Sequence, residues 1–111
     1  MYNYPEVQKE FLDLSASCVS NDVLQQRIFY AFDIQLVWIG DCVGKFYIET
    51  SLNGSNWDTL EITSAEAKGS DNSHTFHINV VTASNYRISY VRTSGDGFAR
   101  ITIVGVKNGN V

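Results

Sequence analysis

Two histidines, two cysteines and twelve acidic residues are the side chains of this 111-residue sequence best suited to covalent or metal chemistry. His74 and His77 stand three apart in a stretch of alternating hydrophobicity. On a strand they face opposite sides and cannot jointly hold a metal ion. A nucleophile needs a base within hydrogen-bond reach, and the sequence proposes no Ser or Cys to pair with either histidine. The carboxylates Asp33, Asp41, Glu49, Asp58, Glu61, Glu66, Asp71 and Asp96 are scattered, and no pair suggests the two-carboxylate arrangement of a glycosidase. Cys18 and Cys42 belong to no CxxC or His/Cys cluster, so neither a zinc site nor a redox motif can be drawn. They read as two small buried residues. The expectation is a protein without a catalytic centre, metal or cofactor.

Binding chemistry has more to work with. Loop oxygens at Asp71, Asn72 and Asp96 are calcium donors in type, but no acidic run with EF-hand spacing surrounds them, and a solvated loop is the simpler reading. Gly95 and Gly97 flank Asp96, which marks a turn that needs positive backbone dihedrals. Asn53-Gly54-Ser55 is formally a glycosylation acceptor and reads here as a hairpin turn. Six Tyr, six Phe and two Trp are a large aromatic complement for one small domain, with Trp38 and Trp57 expected in or near the core. Tyr30, Tyr47 and Tyr90 read as aromatics on polar strand faces, able to stack on a sugar ring or pack against a subunit. Tyr47, between Lys45 and Glu49, is the clearest of these. A ligand-binding set of Asn56, Asp71, Asn72, Asp96 and Tyr47 follows, with Tyr2, Tyr4 and Tyr47 as oligomer contacts.

The elements that would carry these residues are strands. Phe32, Ile34, Leu36 and Trp38 share one face, with Asp33 and Gln35 on the other. Phe46 and Ile48 alternate with Lys45, Tyr47 and Glu49. These two runs, joined through Gly40–Gly44, read as an antiparallel hairpin. Asn53-Gly54 predicts a second hairpin into Trp57–Ile62. Further strands are expected over 10–16, 23–30, 74–80, 85–92 and 98–106, with a surface loop over 63–73. No window has a 3.6-residue apolar period with caps. Seven or eight short strands with regular turns predict an all-β antiparallel sandwich or jelly roll. Residues 1–9, interrupted by Tyr2, Tyr4 and Pro5, read as an N-terminal arm, and residues 10–111 as a single domain.

Composition limits the partners. With 44% hydrophobic residues and one proline, the chain is expected to form a single core. A net charge of −4 disfavours nucleic acid, whose binding proteins present basic patches, and it disfavours an anionic membrane surface. No long apolar run lies near the N-terminus, so neither a signal peptide nor a membrane span is expected. Folding in a reducing cytoplasm suits the unpaired cysteines.

The order of the turn motifs suggests a family. Ser51, Asn53, Gly54 and Trp57 resemble the strand–turn–strand pattern of discoidin-type (coagulation factor 5/8 C-type) domains, and Tyr86-Arg87-Ile88 resembles a following strand of that family. Val37-Trp38-Ile39-Gly40, Gly44-Lys45-Phe46, Asn53-Gly54-Ser55-Asn56-Trp57, Arg87, Arg92-Thr93-Ser94-Gly95-Asp96-Gly97 and Lys107-Asn108-Gly109 are similar, in that order, to small discoidin-like proteins of bacteriophage virions. The resemblance spans residues 34–109. It implies a jelly-roll sandwich made in the host cytoplasm and placed in the virion as a decoration, spike or accessory protein. It also implies a homo-oligomer in contact with other virion proteins. Discoidin-like carbohydrate binding to a surface glycan is the alternative function it suggests.

Overall fold

The computed structural model describes residues 5–20, 24–25, 31–68, 72–78 and 83–106. Nine strands are described: β1 Pro5–Asp13, β2 Cys18–Val19, β3 Leu24–Gln25, β4 Ala31–Gly40, β5 Val43–Ser51, β6 Asp58–Ala67, β7 Ser73–Ile78, β8 Asn85–Ser94 and β9 Gly97–Val106. They form two antiparallel sheets. One has the order β1-β9-β4-β7 and the other β2-β8-β5-β6, with β3 also paired to β8. The architecture is a β-sandwich, as the alternating sequence pattern predicts.

Alternation places the core. Phe32, Ile34, Leu36 and Trp38 of β4, with Ala99, Ile101 and Ile103 of β9, line the inner face of the first sheet. Phe46 and Ile48 of β5, with Tyr86, Ile88 and Tyr90 of β8, line the second. Aromatic contacts tie the layers together: Trp38 meets Phe46 with ring centroids 5.1 Å apart, and Phe32 meets Tyr86 edge-on at the same distance. Phe46 continues to Tyr90 at 4.8 Å. The Tyr90 ring lies over Gly44, where an added Cβ would stand 2.4 Å from the phenol oxygen. A side chain at position 44 is therefore excluded.

Several strand assignments differ from the sequence expectation. β4 and β5 do not pair with each other; β4 pairs with β7 and β9, and β5 with β6 and β8. Alternation gives each strand an apolar face, but two such faces can lie side by side in one sheet or oppose each other across a core, and here they oppose. The loop expected over 63–73 is strand through Ala67. Ala65 and Ala67 are buried opposite Phe46 and Gly44, small residues where the sandwich leaves little space. The first strand begins at Pro5 and ends at Asp13, with Pro5–Lys9 paired to β9, so that segment belongs to the sheet and not to an arm. Pro5, at the first position of an edge strand, withholds no needed donor. Of the strand expected over 23–30, only Leu24–Gln25 fall among the described residues.

The hairpin at Asn53-Gly54 forms as expected, β5 pairing with β6 beyond it. Ser51 Oγ accepts hydrogen bonds from the amides of Asn53 and Gly54, and Asn53 Oδ1 accepts from those of Ser55 and Asn56. Gly54 and Gly95 both have positive φ, at 79° and 75°. A Cβ at Gly54 meets nothing nearer than 3.7 Å, whereas one at Gly95 would lie 2.2 Å from the Asp41 carbonyl oxygen. The two glycines are therefore unequal. Gly54→Ala carries only backbone strain, about 1–2 kcal/mol. Gly95→Ala adds a collision and is expected to cost about 3 kcal/mol or more. Urea unfolding midpoints at unchanged slope check the order.

Candidate functional site

The residues picked out by type are dispersed. Asn56 lies in the β5–β6 turn, and its Oδ1 accepts from Asn53 Nδ2 at 2.9 Å. Asp96 lies in the β8–β9 turn at the opposite end of the sandwich, and Asn72 precedes β7 nearer that end. Tyr47 is half-buried on the outer face of the second sheet, 5.8 Å from Lys45 Nζ. Asp71, Tyr2, Tyr4 and Tyr30 fall outside the described residues. One ligand cannot contact Asn56 and Asp96 at once.

Asp96 has a structural task. Its amide donates to Asp41 Oδ1 and its carbonyl accepts from the Asp41 amide, both at 3.0 Å. Arg92 Nε donates to the Gly95 carbonyl at 2.8 Å, with the guanidinium 3.9 Å from the Asp96 carboxylate. Among the described residues no group of three metal-ligating side chains forms.

The histidines separate as expected. His77 shares a 2.8 Å hydrogen bond with Asp33 across β4 and β7, on the outer face. His74 instead packs edge-on against the buried Phe76 ring at 4.6 Å. It borders a cleft of about 570 Å³ with Trp38, Lys45, Ala65, Glu66, Lys68 and Ser73. Charges of both signs line this cleft, and Glu66 and Lys68 are paired at 3.6 Å.

Two aromatic readings change. Tyr90 is not on a polar face: it is buried, with its phenol beside the Cys42 thiol. Burial pushes both the Tyr90 phenol and the neighbouring Cys42 thiol above their ordinary ranges. Trp57 is outside the core. It is half-buried, with the Arg87 guanidinium 4.1 Å from its ring centroid, while Arg87 Nε donates to Glu49 Oε1 at 2.7 Å. This Trp57–Arg87–Glu49 stack braces the outer face of the second sheet.

The feature that sequence inspection missed is apolar. Phe11, Ile39 and Phe98 are 71%, 68% and 57% exposed. With Val37 and Arg100 they line a shallow depression of about 280 Å³ on the outer face of the first sheet. Strand register makes them neighbours: Phe98 pairs with Asp13 on one side and Ile39 on the other, and Arg100 pairs with Phe11 and Val37. A signal was present in the sequence. Phe11, Ile39 and Phe98 are out of phase with the buried Leu12, Trp38 and Ala99, so alternation assigns them to the solvent side. Beside them, the Asp13 carboxylate accepts from the Ser15 amide at 3.0 Å, which holds it below the usual carboxylate range.

No family model matches this chain, and no curated protein matches it in sequence. Solved structures match its fold. The SPBc2 prophage-derived protein YomS aligns with a TM-score of 0.64 at 8% identity, covering 95% of this chain and 98% of that one. The PBSX exported protein XepA aligns with a TM-score of 0.65 at 16% identity, over 97% of this chain. The chain spans 39% of the length of XepA. A chain from the structure of Bacillus endospore appendages, described as disulfide-linked pili, aligns with a TM-score of 0.52 at 13% identity, covering 97% and 93%. At these identities the likeness is one of fold, and the discoidin resemblance finds no support in it.

The Arg87 ion pair and the two buried acids each give a prediction. Arg87→Ala leaves Glu49 half-buried and unpaired, and is expected to lower stability by about 1–3 kcal/mol. Arg87→Lys recovers little of it, because an ammonium neither stacks flat on Trp57 nor offers the guanidinium fork. Thermal melts of the three proteins check this. The raised Tyr90 and Cys42 pKa values mean that the folded chain holds protons the unfolded chain has released. Their contribution to stability is intact below the unfolded values and is lost as pH rises through the folded ones. Urea midpoints should therefore fall at alkaline pH, less steeply for Tyr90→Phe.

Proposed function

We propose that the chain is a structural or accessory component of a phage or phage-derived particle, acting by assembly through the exposed outer face of its first sheet. The observation that carries this reading is the contiguous Phe11–Ile39–Phe98 patch. Large aromatic and aliphatic side chains gathered on one sheet face cost solubility unless a partner covers them, and patches of this kind mark interaction sites. The company of the fold supports the setting, since YomS is prophage-derived, XepA is an exported protein and the third chain belongs to the pili of endospore appendages. In this reading the chain is a homo-oligomer or a partner of other particle proteins, is located on the particle, and catalyses nothing.

The test is incorporation. The wild-type chain is expected to co-purify with particles released by the cells that produce it. Phe98→Ser, folded by circular dichroism, is expected to be depleted from those particles by about tenfold or more, given what one large interface side chain contributes. Equal recovery of both proteins overturns the reading.

A further inference from the structure

The patch has an internal arrangement that points to its occupant. Antiparallel pairing of β1 with β9 sets Asp13 opposite Phe98 and Arg100 opposite Phe11. These four exposed side chains are the corners of one cell of the sheet's outer face. Same-face residues are about 6.8 Å apart along a strand and about 4.8 Å apart between strands. Phe11 and Phe98 therefore occupy one diagonal of the cell, and Asp13 and Arg100 the other. Asp13 and Arg100 form no ion pair with each other or with any other described residue. Two unlike charges flanking an apolar diagonal form a self-complementary pattern.

We propose that the occupant of this face is a second copy of the chain, packed face to face about a two-fold axis that runs along the Phe11–Phe98 diagonal. This rests on the assembly reading above and names the partner. The operation lays each phenylalanine on its own mate and brings Asp13 of each copy to within a few ångströms of Arg100 of the other, so both charge pairs form at once. From the same cell dimensions, the two copies of β9 cross at roughly 70°, close to the orthogonal class of sheet packing. A two-fold contact is isologous, which is what a self-complementary patch permits. Phe11, Ile39 and Phe98 expose roughly 400 Å² of apolar surface between them, given the 150–250 Å² a large aromatic offers. That is about half of what each partner buries in a standard interface. The polar remainder of the sheet face supplies the rim.

Light scattering over a concentration series, on the wild-type protein and charge variants, tests this. The wild type is expected to be a dimer that dissociates on dilution. Asp13→Arg and Arg100→Asp each place two like-charge contacts at the interface, and each should raise the dissociation constant by about tenfold or more. The double exchange restores both pairs and should return the constant to within about threefold of wild type. Phe98→Cys, on the axis, should cross-link to its own mate on mild oxidation. Arg100→Cys, off the axis, should cross-link efficiently only when paired with Asp13→Cys. Circular dichroism and thermal melts confirm that each variant is folded. A wild type that stays monomeric at its solubility limit, or single exchanges without effect on the constant, overturns the two-fold pairing. If Phe98→Ser is still lost from particles in that case, assembly through this face stands with a different partner. If it is not, both readings fall together.

Discussion

Everything in this sandwich depends on one corner, where the chain passes between the sheets twice side by side. β4 leaves the first sheet through Asp41 and Cys42 to begin β5 in the second, and β8 leaves the second through Gly95 and Asp96 to begin β9 in the first. The two crossings hold each other through the reciprocal hydrogen bonds of Asp41 and Asp96. They are packed backbone against backbone. A Cβ at Gly40, Gly95 or Gly97 would stand 2.4 Å or less from a carbonyl oxygen of the other crossing. This contact fixes the separation of the layers at one end, and the Trp38–Phe46–Tyr90 ring series fills the space just inside it.

The corner also accounts for the glycine-rich motifs. Val37–Gly40 and Gly44–Phe46 are far from Arg92–Gly97 in sequence, yet all three converge where β4, β5, β8 and β9 turn. Gly44 makes room for the Tyr90 ring, Gly95 supplies a left-handed residue, and Arg92 Nε holds the turn by the Gly95 carbonyl. The backbone of the Gly95-Asp96 turn thus serves the fold, while the Asp96 carboxylate stays exposed. Asp96 and Asn56 lie at opposite ends of the sandwich, and the exposed apolar patch lies on the outer face of the first sheet. Its rigidity comes from strand pairing on both sides of β9.

A strand presents its side chains alternately to its two sides with a fixed repeat. The same repeat generates ordered two-dimensional patterns, such as the crossed diagonals of Phe11, Phe98, Asp13 and Arg100. In the proposed assembly this pattern is read by another surface. The cleft beside His74 is different in character, since it lies at the open edge between β6 and β7 and mixes Lys45, Glu66 and Lys68. Its charges partly neutralise one another.

By itself the sequence determined the class of the fold and the inward faces of its strands, because a period of two follows directly from backbone pleating and survives any arrangement of the strands. The buried positions of β4 and β5 were legible on that basis, as was the Asn53-Gly54 turn, whose dihedrals are a local matter, whereas Tyr90 of β8 was read on a polar face and is buried. Tertiary structure alone decided which strands are neighbours. Alternation is the same for a hairpin partner and for a strand facing it across the core, so β4 and β5 were read as paired when they oppose each other. Tertiary structure also decided that Ala65 and Ala67 continue a strand, because small residues read as loop until a bulky Phe46 beside them explains their size. The exposed patch lay in between. Phe11, Ile39 and Phe98 were visible one by one as out-of-phase apolar residues, but only the register of β1, β9 and β4 makes them a surface.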